Sequence, residues 1–205
     1  MLARSLRKSD VKRRLLETTA ALSKGGMQIA PEQGRFMALL VELLGARRIV
    51  EVGTFTGYSA LCMAEAMPAG GELICCDLSE QWTDIARDFW RKTGVEARIE
   101  LRLAPALETL DTLLAEGQEG RFVLAFIDAD KGSYGAYFER CLRLLRPGGL
   151  MLMDDTLWGG DVADPEKQDA DTLAIRTLKA ALLKDDRITL SLVPIGDGLT
   201  LARRR

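Results

Sequence analysis

Five short apolar segments recur through the middle of the chain, and each leads through a turn or loop into an amphipathic segment of helical length. The five segments are RRIVEVG, ELICCDL, RIELRL, RFVLAFID and LMLMD. Strands that alternate with helices run parallel and are joined by right-handed crossovers, so helices cover both faces of the sheet. The pattern therefore predicts an α/β fold built on a doubly wound, mostly parallel sheet.

Helical periodicity and end signals place the helices. The predicted ranges are Ser5 to Ser23, Pro31 to Gly45, Tyr58 to Met67, Glu80 to Lys92 with Ser79 as N-cap, Ala106 to Ala115, Ser133 to Leu145 and Thr172 to Lys184. The first two are extra helices that precede the alternating pattern. After the last, RITLSLVPI and LTLARR flank Gly-Asp-Gly, which predicts a hairpin whose last strand is antiparallel. With no repeat, linker or low-complexity segment, residues 1–205 are expected to form one domain.

Histidine is absent from the 205 residues, which excludes Ser-His-Asp and Cys-His nucleophile systems and every His-ligated metal site. The four cysteines show no CxxC spacing, so we expect buried, reduced thiols and a cytoplasmic location; the basic N-terminus does not resemble a secretory signal. A formal charge of -2 gives no reason to expect a nucleic acid as partner. The apolar runs are too short to span a membrane, so no membrane partner is expected.

The carboxyl ends of the strands are where a doubly wound sheet binds ligands. The first strand leads into Glu51-Val-Gly53-Thr54, a glycine turn without the dinucleotide fingerprint or a phosphate-binding lysine, and the second ends at Asp77. Glu51 suits a cationic ligand, and Asp77 has the spacing of a ribose-binding carboxylate. The set favours S-adenosylmethionine, a cationic nucleoside without phosphate. The alternative is that both carboxylates only stabilise helix N-termini.

Three more carboxylates, Asp128, Asp154 and Asp155, follow the fourth and fifth strands. Side chains this close repel one another unless a proton or cation lies between them, and oxygen ligands favour a hard cation such as Mg²⁺, Mn²⁺ or Ca²⁺. Lys131 is placed to reach a ligand on that cation and to act as a base. The structural alternatives are that Asp155 is a turn residue, that Asp130 is only a helix N-cap, and that Lys131 forms a salt bridge to Asp130 or points into solvent.

The sequence resembles the cation-dependent O-methyltransferases, the family of the catechol and caffeoyl-CoA enzymes. The segments that carry the resemblance follow one another in the family's order: MQIAPEQGRF, EVGTFTGYSA, APALETL, AFIDADKGSY, LLRPGGL, DDTLWGG and PIGDGLTLAR. The resemblance implies a seven-stranded S-adenosylmethionine-binding sheet and a homodimer. It also implies a set of cofactor contacts: Ile29, Glu51, Gly53, Thr54, Ser59, Asp77, Ala106 and Asp130.

For the reaction, the resemblance implies that Asp128, Asp154 and Asp155 hold the metal, that Lys131 is the catalytic base, and that Asp128 and Trp158 contact the acceptor. One departure is visible, because the family usually has Asn where this chain has Asp155. The expected activity is methyl transfer to a hydroxyl of a small ortho-dihydroxy aromatic. Two alternatives stay open: a methyltransferase for another O or N acceptor without an obligatory metal, and a non-catalytic S-adenosylmethionine-binding protein.

Overall fold

The computed structural model describes residues 10–205, and its seven strands form one sheet in the order β3-β2-β1-β4-β5-β7-β6. The strands are β1 (Arg48–Val52), β2 (Glu72–Asp77), β3 (Ile99–Leu103), β4 (Phe122–Ile127), β5 (Leu145–Met153), β6 (Ile188–Val193) and β7 (Leu199–Arg204). The first five run parallel, whereas β7 lies antiparallel between β5 and β6. The doubly wound sheet, the hairpin and its antiparallel last strand are thus confirmed.

The helices lie on both faces of the sheet because its central strands are apolar on both sides. The α-helices are α1 (Asp10–Ala20), α2 (Pro31–Leu44), α3 (Tyr58–Ala66), α4 (Glu80–Thr93), α5 (Ala106–Ala115), α6 (Tyr134–Leu144) and α7 (Ala170–Leu182). One core cluster joins α1 to α4 with one sheet face, and a second joins α5 to α7 with the other. Consecutive residues of β1 alternate between the two, with Ile49 in the first cluster and Val50 in the second.

The helix ends follow local capping. Helix α2 begins at Pro31 and ends where Gly45 takes a left-handed conformation with φ 56°, as predicted. Ser79 caps α4 by accepting a hydrogen bond from the Trp82 amide, 3.3 Å. The predicted start of the first helix at Ser5 lies outside the described residues.

Several predicted helix boundaries are wrong. Helix α1 ends at Ala20 rather than Ser23, and α7 ends at Leu182 rather than Lys184. Helix α7 begins at Ala170 rather than Thr172, because the Asp169 carboxylate caps it by accepting the Thr172 amide at 2.9 Å. Leu145, predicted as the last residue of a helix, is the first residue of β5, which pairs with β4 at Phe122. None of the helices in residues 10–205 is both long enough and apolar enough to cross a membrane.

Strand order reverses at β1, which pairs with β2 on one side and β4 on the other. The crossovers from these strands leave toward opposite faces of the sheet, which opens a crevice beyond their carboxyl ends. The turns after β1, β2, β4 and β5 meet at this crevice. All the candidate residues at strand ends therefore come to one edge of the sheet.

Candidate active site

The turn after β1 needs glycine at both ends. Gly53 has φ 90° and Gly57 has φ 78°, conformations that side chains rarely adopt. A Cβ on Gly53 would overlap the Asp128 carbonyl oxygen, so this glycine lets the ends of β1 and β4 approach closely. Gly57 leads into α3, and its carbonyl accepts a hydrogen bond from the Trp90 indole at 3.1 Å. The turn is therefore fixed against both the sheet and α4.

Asp77 organises this turn from the end of β2. Its Oδ2 accepts hydrogen bonds from the Thr54 and Phe55 amides at 2.9 and 2.8 Å, and its Oδ1 accepts one from the Ser79 amide at 2.8 Å. Three amides with partial positive charge thus hold the carboxylate in place. These amides take three of the roughly four acceptor positions of a carboxylate, so Oδ1 keeps a lone pair that can accept a hydrogen bond from a ribose hydroxyl.

Glu51 lies within β1 and has no exposure to solvent. Its Oε2 accepts the Cys75 thiol at 3.2 Å, whereas Oε1 has no hydrogen-bond partner in the described structure. Burial raises the pKa of Glu51 to about 7, and the neighbouring Ser59 and Cys75 side chains only partly oppose this rise. A buried carboxyl with a free oxygen requires a cationic or hydrogen-bonding neighbour when it is ionised.

The crevice contains a cavity of about 510 Å³. Eleven of the predicted site residues line it: Ile29, Gly53, Thr54, Ser59, Asp77, Ala106, Asp128, Asp130, Lys131, Asp155 and Trp158. Glu51 and Asp154 lie behind its wall instead. Trp158 adopts φ 51° at the start of a 3₁₀ segment, Trp158–Ala163, and forms part of the far end of the cavity.

The acidic cluster surrounds a buried lysine. The Lys131 ammonium lies 3.0 Å from Asp155 Oδ2 and 3.5 Å from Asp128 Oδ1, and it donates a hydrogen bond to the Tyr134 hydroxyl at 2.7 Å. Lys131 is also 5.4 Å from the centre of the Trp158 ring. The salt-bridge alternative for Lys131 is thus what the structure contains, but with Asp128 and Asp155 rather than Asp130.

Asp130 has two local partners. Its Oδ2 accepts the Ser133 amide at 3.1 Å and its Oδ1 accepts the Tyr137 hydroxyl at 2.6 Å. Asp130 therefore caps the 3₁₀ turn Lys131–Ser133, as the structural alternative for this residue predicted. It lines the cavity as well, so capping and a cofactor contact are compatible.

The cluster is short of positive charge. Burial and the nearby Asp154 raise the pKa of Asp128 well above its ordinary value, and burial and Asp155 raise the pKa of Asp154 to about 6. Three carboxylates with oxygen donors match the chemistry of a hard divalent cation. As the side chains stand, however, no three acidic or Cys side chains within residues 10–205 form a ligand set. The donor types fit a hard cation, and the positive charge that the structure shows between Asp128 and Asp155 is the Lys131 ammonium.

Gln33 is a site residue that the sequence pattern did not reveal. Its side-chain amide, on α2, donates a hydrogen bond to Asp154 Oδ2 at 2.7 Å and is 1% exposed. The Asp155 amide donates to the other oxygen, Asp154 Oδ1, at 2.8 Å. These bonds orient Asp154, and nothing in the local sequence around Gln33 indicates a partner 121 positions away.

Aromatic side chains on the cofactor side were also missed. Phe55 and Trp82 line the cavity and form an edge-to-face pair with ring centres 4.9 Å apart. Phe55 has φ 51°, a strained conformation that the turn imposes. An aromatic residue inside a glycine turn, such as Phe55 between Gly53 and Gly57, is a sequence feature from which a contact with a bound ligand can be predicted. The fold, the glycine turn and the position of Asp77 at the end of β2 are the features expected of a Rossmann-like S-adenosylmethionine-dependent methyltransferase.

Comparison with known proteins leads to the same class. The O-methyltransferase family model matches residues 3–205. The catechol O-methyltransferase domain-containing protein 1 of Mus musculus is 41% identical over 202 residues, which cover 98% of this chain and 77% of that protein. The probable caffeoyl-CoA O-methyltransferase 2 of Dictyostelium discoideum is 40% identical over 195 residues, covering 94% and 84%.

A solved structure extends the comparison to the cofactor. The O-methyltransferase of Bacillus cereus, crystallised in complex with SAH, superimposes with a TM-score of 0.89 and 32% identity over 98% of this chain and 93% of that one. The chain belongs to the O-methyltransferase family. It is an S-adenosylmethionine-dependent O-methyltransferase of the caffeoyl-CoA type.

Proposed function

We propose that this enzyme methylates a hydroxyl of a small ortho-dihydroxy aromatic and depends on a divalent cation, Mg²⁺, Mn²⁺ or Ca²⁺. The observation that carries the proposal is the acidic cluster of Asp128, Asp154 and Asp155 beside the cofactor turn, with Lys131 among them. Two adjacent hydroxyls are a natural chelating group for a cation held there. When bound, the cation supplies Lewis acidity that stabilises the acceptor's oxyanion.

The chain's own residues then bind and orient the two substrates. Asp77 accepts a ribose hydroxyl at Oδ1 while it holds the turn, and Glu51 beside Gly53, when ionised, favours the cationic end of the cofactor. Trp158 packs against the acceptor ring. The largest contribution of such a site to the reaction rate is to hold the methyl group and the acceptor oxygen in line. Both reactants are then already bound, so no bimolecular encounter is needed in the chemical step.

Lys131 is the residue that we assign as base. A phenol has an ordinary pKa near 10, so its proton must be removed or stabilised for attack near neutral pH. The amine of Lys131 lies at the acceptor end, close to Asp128, Asp155 and Trp158. A cation bound by the same carboxylates would favour loss of the ammonium proton to solvent, and the neutral amine could then take the proton of an acceptor hydroxyl at Nζ.

The test is transfer of a labelled methyl group to a panel of catechols, with and without chelator. We expect chelator to abolish transfer and added Mg²⁺ or Mn²⁺ to restore it. Lys131→Ala is expected to lower kcat by roughly 10²-fold or more, the usual contribution of a general base. Lys92→Ala is the control, because Lys92 forms an exposed ion pair on α4.

A second candidate, methyl transfer to another hydroxyl or nitrogen without a metal, is favoured by one observation. Lys131 already lies between Asp128 and Asp155 and supplies a positive charge of its own. Full activity in the presence of chelator would support this candidate. Cofactor binding with no transfer to any acceptor would instead support a non-catalytic binding protein.

We also propose a cytoplasmic homodimer made of one domain per chain. Support for the location is that all four cysteines are free and buried, as expected of a reducing compartment. Support for the dimer is the outer face of α2, where Leu39 and Leu43 are 49% and 73% exposed one helical turn apart.

A further inference from the structure

Three buried side-chain atoms within residues 10–205 have no hydrogen-bond partner: Gln28 Oε1, Glu51 Oε1 and Arg48 Nε. Buried polar atoms of folded proteins are nearly always paired, so each of these atoms requires an explanation. Arg48 is the first residue of β1 and lies at the end of the strand away from the crevice. The other two atoms are both hydrogen-bond acceptors, and of the two residues it is Gln28 that lines the cavity.

Gln28 is half-buried, and the chain around it is fixed. It follows the 3₁₀ turn Gly25–Met27, and its amide donates to the Gly25 carbonyl at 3.3 Å. Its neighbours Met27 and Ile29 line the same cavity. The terminal torsion of a glutamine side chain is broad, so a rotation can turn the carbonyl toward a donor in the cavity. An unpaired acceptor in this position suits a ligand that supplies a donor.

The segment that contains Gln28 covers one side of the crevice. Thr19, near the end of α1, shares a hydrogen bond with Thr56 of the turn after β1, at 2.8 Å. Gln33, in α2, donates to Asp154 after β5 at 2.7 Å. The chain between these two contacts therefore runs from the turn after β1 toward the end of β5. Asp77, at the end of β2, lies on the opposite side of β1 from β5.

The covalent structure of the cofactor indicates which of its donors reaches Gln28. S-adenosylmethionine has three kinds of donor: the adenine amino group, the ribose hydroxyls and the α-ammonium group of its amino-acid part. With the ribose at Asp77, the methyl group must face the acceptor end, which Lys131 and Trp158 form after β4 and β5. The amino-acid part then extends toward β4 and β5, and the adenine extends toward β3. The α-ammonium group is therefore the donor on the side of Gln28.

We propose that Gln28 is a cofactor-recognition residue whose side-chain carbonyl accepts a hydrogen bond from the α-ammonium group of S-adenosylmethionine. The bond supplies the donor that Oε1 lacks, and it is strong because the donor is charged. The site thereby selects for ligands that keep the amino group. The inference goes beyond the proposed function, because it concerns the cofactor alone and holds for any acceptor, with or without a metal.

The experiment is calorimetry of the full chain with two ligands, without acceptor and in the presence of chelator. The ligands are S-adenosylhomocysteine, which keeps the ammonium group but has no methyl group to transfer, and its deamino analogue, in which hydrogen replaces that group. We expect the unaltered protein to bind S-adenosylhomocysteine more tightly. Gln28→Met, which is similar in size but has no acceptor of this strength, should reduce that preference by about tenfold or more. Its affinity for the deamino analogue should be unchanged.

Two further variants isolate the role of the acceptor. Gln28→Glu keeps an acceptor at the same position and adds a negative charge, so it should retain or increase the preference for the ligand with the ammonium group. Gln168→Met is the matched control. Gln168 is exposed, donates to the Pro165 carbonyl at 2.7 Å and does not line the cavity, so its replacement should leave the preference unchanged.

A purely structural role for Gln28 has a different signature. Gln28→Met removes an acceptor without a partner, so the cofactor-free variant should unfold at the same temperature as the unaltered protein or a higher one. If Gln28→Met weakens both ligands by the same factor, or keeps the full preference, the inference is overturned. Equal affinity of the unaltered protein for the two ligands overturns it as well. None of these results depends on whether a catechol is methylated, so failure of the proposed function remains distinguishable.

Discussion

Glu51 is a carboxylic acid enclosed in the sheet, and its pKa of about 7 is far above the ordinary value of 4.5 mainly because of burial. Between these two values the folded protein retains a proton that the unfolded chain has lost. The free energy of unfolding of the cofactor-free protein therefore falls as the pH rises through this window. The shift corresponds to a loss of about 3 kcal/mol at most by pH 8.

Glu51→Gln removes this titration. We expect the stability of the variant relative to the unaltered protein to increase by up to about 3 kcal/mol between pH 5 and pH 8, as measured by urea unfolding without cofactor. Asp128 and Asp154 titrate in both proteins, so their contributions largely cancel in the difference, with only the small effect of the Glu51 charge on Asp128 remaining. The same variant should bind S-adenosylmethionine more weakly. A stability difference that is constant over this pH range would contradict the assignment of the raised pKa to Glu51.

Asp155 is a second residue whose charge can be tested by a single substitution. It has φ 53°, a left-handed conformation that Asn also tolerates, so Asp155→Asn is expected to preserve the fold. Removing one carboxylate charge should weaken binding of the divalent cation by roughly tenfold, because affinity follows the charge of the ligands, while methyl transfer is retained. Titration with Mn²⁺ measures the affinity, with Asp164→Asn in the exposed loop as control. Unchanged affinity would show that Asp155 is not a ligand.

At the scale of elements, the loop between β5 and α7 depends on one side chain of the following helix. Arg176 donates to four carbonyl oxygens of residues 161–167, and from the hairpin the Asp197 carboxylate accepts the Gly159 amide at 2.8 Å. A loop without regular structure is otherwise an early site of local opening. These bonds give the acceptor side of the site a defined shape.

Arg176→Ala should therefore release this loop while the sheet remains folded. We expect amide hydrogen exchange of residues 157–168 to accelerate by about tenfold or more, with little change in β1 and β4. Arg176→Lys should restore little, because an ammonium cannot reproduce the planar fork that reaches several carbonyls at once. Slow exchange in both variants would mean that other contacts hold the loop.

At the scale of the whole molecule, the outer face of α2 is the surface that we assign to the dimer. Leu43→Glu places a charge at the centre of this apolar face, and burying an unpaired charge is costly. We expect the variant to sediment as a monomer and the unaltered protein as a dimer. Leu183→Glu, at another leucine with 77% exposure, should leave the dimer intact. A monomeric unaltered protein would contradict the proposal.

Local sequence patterns were sufficient to predict much of the architecture. Alternating apolar and amphipathic segments predicted the doubly wound sheet, and Gly-Asp-Gly predicted the hairpin, because periodicity and turn chemistry act over a few residues. The same logic brought Asp77 and Asp128 to one edge, since parallel strands end on the same side. The ends of the helices were predicted less accurately. Leu145 was predicted as the last residue of α6, but it pairs with Phe122 of β4 and therefore belongs to β5.

Local patterns in the sequence placed most of the candidate side chains at one edge of the sheet, whereas the contacts that each of them makes depend on the packing of the folded chain. Gln33 reaches Asp154 from 121 positions away, and Lys131 lies between Asp128 and Asp155. Glu51 is predicted to contact the cofactor, and the packing of the sheet buries it completely while leaving its Oε1 without a hydrogen-bond partner in residues 10–205. The physical reason is that backbone pattern sets where a side chain begins, whereas its partners and its exposure depend on chain segments that only folding brings together.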